Sequence, residues 1–222
     1  MVEKNPFPVK SPLISETLEE QLKTLLGRLI SPVELTCLVG EDEKSREMAA
    51  FINHISRLCD WLSCRFLAPG EDARLDAELD ARLLPATGVA APGQSQRMVF
   101  HGVPGGKEIN AFAAALLTAG GGMKPLDKPT LKDIGKIKEP MTLQVCVSLG
   151  CQHCSQLVSN AQRVAWENPK VSAHMIDANL YPDLVREYGI ERVPLTVING
   201  KTRIPGGKTM AELTTLLARY EG

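Results

Sequence analysis

Cys151 and Cys154, two residues apart in "SLGCQHCSQLV" (148–158), are the residues of this 222-residue chain best placed to do chemistry. That spacing suits a dithiol that exchanges with disulfides, half of a zinc site, or two small core residues that happen to be close. Zinc asks for four ligands, and neither a second C-x-x-C nor a histidine pair at finger spacing follows. The redox reading has a direct physical basis. Only a thiolate attacks a disulfide, and the N–H groups and dipole at a helix N-terminus lower a thiol pKa from about 8.5 toward roughly 3.5–7.5. The pattern puts Cys151 at such a helix start, as the attacking thiol. Cys154, three residues on and about one turn later, returns to the same face as the resolving thiol. His153 lies between them, and an imidazolium there would stabilise the thiolate and tune the pair. A solvent-facing histidine without redox influence is the plainer alternative.

Composition fits that chemistry. The chain is 44% hydrophobic with a formal charge of −1, enough to bury a core and without the basic footprint that nucleic acid or an anionic membrane requires. The opening "MVEKNPFPVKSPLIS" lacks the apolar core of a signal peptide, and no apolar run approaches a membrane span, so a cytoplasmic protein is expected. In a reducing compartment a close cysteine pair points to catalysis or metal binding rather than to a staple. Cys37, Cys59, Cys64 and Cys146 read as small core or turn residues.

The elements around the pair form a repeat. Strand-like stretches at 33–39, 62–67, 86–91 and 97–101, with helical spacing over 43–59 and 106–119, recur as strands at 141–147, 171–177, 194–198 and 202–204 with helices near 152–166, 180–188 and 208–220. One offset of 109 residues places Cys37 on Cys146 and Pro85 on Pro194, and "PGGK" occurs at both 104–107 and 205–208. A further helix opens the chain, with Leu18, Leu22, Leu25, Leu26 and Leu29 as its stripe and Thr17-x-x-Glu20 as a capping box. "AGGGMKPLDKPT" (119–130) breaks regular structure between the halves. The predicted architecture is α/β: two tandem thioredoxin-like folds, each a mixed sheet flanked by helices, with C-x-x-C in the second. The expected units are 1–119, a linker at 120–130, and 131–222. Pro194 then heads the strand where this fold holds a cis peptide beside the active cysteine; a strand-capping proline is the alternative. The offset sets Asp42 against Cys151 and Ser45 against Cys154, so the first unit has no redox pair. Where thioredoxins carry a buried acid, six residues before the first cysteine, this chain has Val145.

With "KTLLGRLISPVELTCLV", "FHGVPGGKEINAFAAALLTAGGG", "SLGCQHC", "NPKVSAHMIDA", "GIERVPLTVINGK" and "GGKTMAEL", the chain resembles the N-terminal domain of the F subunit of alkyl hydroperoxide reductase over about residues 17 to 222. The resemblance implies a thiol–disulfide oxidoreductase that passes electrons from a flavoprotein's dithiol to the disulfide of a peroxiredoxin. It implies that Glu108, from the silent unit, is the base beside Cys151 and Cys154; a helix-start glutamate favoured by the dipole is the alternative. An extended partner segment would dock against Leu149, Val193 and Pro194. No G-x-G-x-x-G stands in the sequence, so no cofactor or metal is expected in this chain, and FAD and NAD(P)H belong to a thioredoxin-reductase-like donor on a separate chain or elsewhere in a longer one. The segment "GEDARLDAELDARLL" (70–84) reads as a solvated helix without function. Two other readings stand beside this one: a general disulfide oxidoreductase or isomerase, and a redox-silent adaptor.

Overall fold

A computed structural model describes residues 7–220; Met1–Pro6, where the stretch read for a leader begins, and Glu221–Gly222 lie outside the described residues. The strands are β1 (Val33–Leu38), β2 (Leu62–Leu67), β3 (Ala86–Ala90), β4 (Met98–His101), β5 (Met141–Val147), β6 (Val171–Asp177), β7 (Leu195–Ile198) and β8 (Thr202–Pro205). The helices are α1 (Glu16–Leu26), α2 (Glu43–Ser56), α3 (Ala73–Glu78), α4 (Ile109–Ala119), α5 (Lys128–Ile134), α6 (Cys154–Glu167), α7 (Pro182–Tyr188) and α8 (Met210–Ala218), with a 3₁₀ turn at Gly106–Glu108 leading into α4.

The strands form one sheet in the order β2-β1-β3-β4-β6-β5-β7-β8. Each half repeats one pattern: a parallel pair (β1 with β2, β5 with β6), then two antiparallel neighbours. The halves join head to tail, because β4 at the edge of the first pairs in parallel with β6 at the edge of the second. This seam covers two edges that separate units would leave open.

Side chains alternate across the sheet. Leu35, Cys37, Phe100, Leu143, Val145 and Met175 face the large core with residues of α1, α2, α4, α6 and α8. Their neighbours face the other side, where α7 and the segment around α3 cover smaller clusters, Cys146, Ile176, Leu195 and Val197 in one and Leu38, Leu79, Ala86 and Val99 in the other. Phe112 anchors the large core, with its ring 5.2 Å from that of Phe100 and edge-on to it.

Three local expectations need correction. Ser15, with extended backbone, caps α1 by accepting from the Leu18 amide, so Thr17 and Glu20 lie inside the helix and form no capping box at its start. The 70–84 segment is helical only over Ala73–Glu78, capped by Asp72, and it is not a solvated surface helix, since Leu75 and Leu79 are fully buried. The sheet face that these leucines cover is assembled from strands distant in sequence, and its charged neighbours alone suggest solvent. Helix α5 begins at Lys128, within the stretch expected to be linker, because Asp127 accepts from the Thr130 amide and Pro129 suits the first turn.

Candidate active site

β5 delivers the chain to the loop 148–153, and α6 carries it away. Cys151 and Cys154 are joined as a disulfide, with Cα atoms 5.5 Å apart. Helix α6 starts at Cys154 rather than at Cys151; Cys151 sits in the turn before it, its amide donating to the Ser148 carbonyl at 2.9 Å. His153, in the turn between the two cysteines, is the residue before the helix and gives it no side-chain cap. The two sulfurs differ in access: Cys151 is half-buried, while Cys154 is fully buried in the large core. That inequality suits an outer thiol that meets a partner and an inner one that resolves the intermediate. His153 is exposed and caps nothing with its side chain.

The Val193–Pro194 peptide is cis, as is Leu84–Pro85 at the equivalent position of the first half. Pro194 is buried and Val193 and Leu149 half-buried. Among the described residues Val193 makes no backbone hydrogen bond, which leaves its N–H and C=O for an incoming extended segment.

The silent half reaches this loop through the 3₁₀ turn. The Lys107 amide donates to the Leu149 carbonyl at 2.9 Å, and the turn packs against α6. Gly106 has φ +54°, and a Cβ there would stand 2.5 Å from the Leu149 oxygen, so the approach admits only glycine. Glu108, two residues further on, is fully buried, and among the described residues neither carboxylate oxygen has a hydrogen-bond partner. Burial first, and the nearby Asp177 charge second, push its carboxyl up to about 7. A carboxyl with that pKa can hold or release a proton near neutrality.

At the matching position of the first half, the Asp42 carboxylate accepts from the Ser45 amide (2.9 Å) and from its hydroxyl (2.6 Å), and the Gly40 amide donates to the Ser45 hydroxyl (2.9 Å). Where the second half has a disulfide, the first has a helix cap. Two polar residues near the site escape sequence reasoning. Thr196 pairs directly with Val145 on the core side of the sheet, and among the described residues its buried hydroxyl has no partner. Asp177, at the end of β6, has its carboxyl raised by burial above the usual range. Only the strand register, which no local pattern encodes, brings either toward the loop.

Comparison with known proteins is consistent with this geometry. A family model described as "Thioredoxin domain" matches residues 141–218. The F subunit of alkyl hydroperoxide reductase from Pseudomonas putida is 29% identical over 201 residues, covering 90% of this chain but 36% of the relative. Its counterpart from Pseudomonas aeruginosa is 28% identical, covering 85% of this chain and 34% of its own length. The chain thus spans about a third of the curated relatives it matches. A structure of the Enterococcus faecalis F subunit superimposes with TM-score 0.86 at 30% identity, covering 91% of this chain and 98% of that one. A protein disulfide oxidoreductase from Aeropyrum pernix, 19% identical, shares the fold with TM-score 0.78 over 92% of both chains.

Proposed function

The chain belongs to the family of the alkyl hydroperoxide reductase F subunit, whose tandem thioredoxin-like module it matches, and from that premise we propose that it relays electrons from a flavoprotein dithiol to the disulfide of a peroxiredoxin in the cytoplasm. The thiol–disulfide oxidoreductase class is established by fold, family and C-x-x-C disulfide together. The relay reading rests on one observation above the rest: a buried, unpartnered carboxyl from the silent half in a turn seated on the loop of the redox pair.

In the reduced protein the Cys151 thiolate attacks one sulfur of the partner disulfide, forming a mixed disulfide and releasing one partner thiolate. Glu108, as carboxylate, takes the Cys154 proton. The Cys154 thiolate then attacks Cys151 Sγ, which closes the Cys151–Cys154 disulfide and expels the second partner thiolate. Two electrons have left the chain, and the proton on Glu108 is available to the departing thiolate. Val193, Pro194 and Leu149 hold the partner's extended segment, and His153 tunes the thiolate. A donor dithiol reverses the sequence to reload the pair. FAD and NAD(P)H belong to the donor, whether that is a separate chain or another part of a longer one.

On this reading residues 1–119 form the silent unit, 120–130 the connection and 131–222 the redox unit. The Asp42–Ser45 cap supports a single-pair relay over an isomerase with two pairs. The test is a coupled assay with a thioredoxin-reductase-like flavoprotein, a peroxiredoxin and peroxide. Pyridine-nucleotide oxidation should require this chain, vanish in Cys151→Ser, and give a trapped mixed disulfide with the peroxiredoxin in Cys154→Ser. Peroxide turnover that persists with Cys151→Ser would refute the relay.

A further inference from the structure

The face of the sheet opposite the large core carries a polar cavity of about 990 Å³ across the seam, between α3 with the loop after it and α7. Its floor includes a hydrogen-bond chain that runs from one half to the other. His101 Nδ1 lies 2.7 Å from the Leu83 carbonyl oxygen, and His101 Nε2 lies 2.9 Å from His174 Nδ1. A carbonyl can only accept, so His101 carries its proton on Nδ1. Both rings are buried, which keeps them neutral, so His101 Nε2 accepts from His174 Nδ1–H. The tautomer of His174 is thereby fixed, and its Nε2 bears a lone pair. Among the described residues that nitrogen has no protein partner, although His174 lines the cavity and is 5% exposed.

Gln144 sits directly across from His174 in the β5–β6 register and lines the same cavity at 6% exposure. Tyr188 Oη donates to Gln144 Oε1 at 2.7 Å, which orients the carboxamide and leaves its Nε2 hydrogens without a protein acceptor among the described residues. An acceptor and a donor on two nearly buried residues in register thus line one wall of the cavity without a protein partner among the described residues, and Gln96 Oε1 and Asp76 Oδ1 in the same lining are buried and unpartnered as well. We propose that this cavity binds a small molecule through a planar edge that offers an N–H donor beside a carbonyl or ring-nitrogen acceptor, the chemistry shared by nucleobases and primary carboxamides. Its size is in the range of ligand pockets. Arg82 and Gln96 line it from the first half and Gln144, His174 and Tyr188 from the second, so an occupant ties the halves together. A metal ion fits less well, since no three ligating side chains cluster among the described residues.

The test uses the whole chain with ¹⁵N-labelled histidine, titrated separately with adenosine, uridine and benzamide while the His174 Nε2 resonance is followed. A saturable shift with at least one probe is expected. Gln144→Glu, which keeps the oxygen facing Tyr188 and replaces the donor with an acceptor, should weaken binding about tenfold or more at an unchanged melting temperature. Gln144→Leu is the second variant if the carboxylate unfolds the protein, and the same loss is expected. A shift with nucleosides but not benzamide assigns a nucleobase, and a shift with benzamide assigns the amide edge alone. The proposal is overturned if no probe moves the resonance, if both Gln144 variants bind as well as the parent, or if zinc ion moves it and the organic probes do not.

Discussion

Glu108 is a buried carboxyl with no hydrogen bond among the described residues, raised to about 7 from an ordinary value of 4.5 by burial and by Asp177. The folded state therefore holds its proton more tightly than the unfolded chain does. Its contribution is most favourable to folding below about pH 4.5 and is lost as pH rises through about 7. Glu108→Gln should accordingly unfold at a higher temperature than the parent at pH 8, with the difference shrinking toward pH 5, as read by calorimetry. The same substitution should slow resolution of the mixed disulfide by about 100-fold and abolish its pH inflection near 7, measured by stopped-flow with a peptide disulfide. A glutamate with a purely structural role would leave that pH profile unchanged. Cys151 and Cys154 stand out by their spacing once the lack of further zinc ligands is weighed, whereas Glu108 is suggested only by the resemblance of "GGKEIN" to a known family, and its role belongs to the proposed relay. Thr196 and the His101–His174 pair are not legible, because their settings depend on strand register rather than on neighbours in sequence.

The elements follow their periodicity closely. The expected strands at 62–67, 141–147 and 171–177 coincide with β2, β5 and β6, and in β5 and β6 runs buried on both faces leave little doubt about where a strand starts. Helix starts are harder to place, because several polar residues compete to cap: Ser15 displaces Thr17, and α6 starts at Cys154 rather than at the cysteine before it. Asp42 caps α2 where the redox half has Cys151, so Asp42→Ala should cost about 1 kcal/mol of stability in denaturant titration and leave disulfide exchange unaltered. Phe112→Ala, which empties the centre of the core beneath α4, should cost about 3–5 kcal/mol in the same measurement.

At the scale of the molecule, the repeat is readable but the joint is not. The 109-residue offset implies two units, yet nothing in either half announces that β4 pairs with β6 to make one sheet. The joint carries its own titration. Burial pushes His101 down to about 4 and His174 to about 3, from an ordinary value of 6.5, so the unfolded chain binds protons that the fold excludes. Their contribution is intact above about pH 6.5 and is lost as pH falls toward 4, at up to roughly 1.4 kcal/mol per pH unit for each proton taken up. Denaturant midpoints at pH 7 and pH 5 should show that loss, and a double His101→Phe, His174→Leu variant should show less of it. The electron relay turns on one dithiol. It is tested most directly by equilibrating the protein in graded thiol–disulfide buffers, alkylating free thiols and locating them by mass. One reversible two-electron transition confined to Cys151 and Cys154, with Cys37, Cys59, Cys64 and Cys146 reduced throughout, is the expected result; no transition, or one involving any of those four, would contradict it.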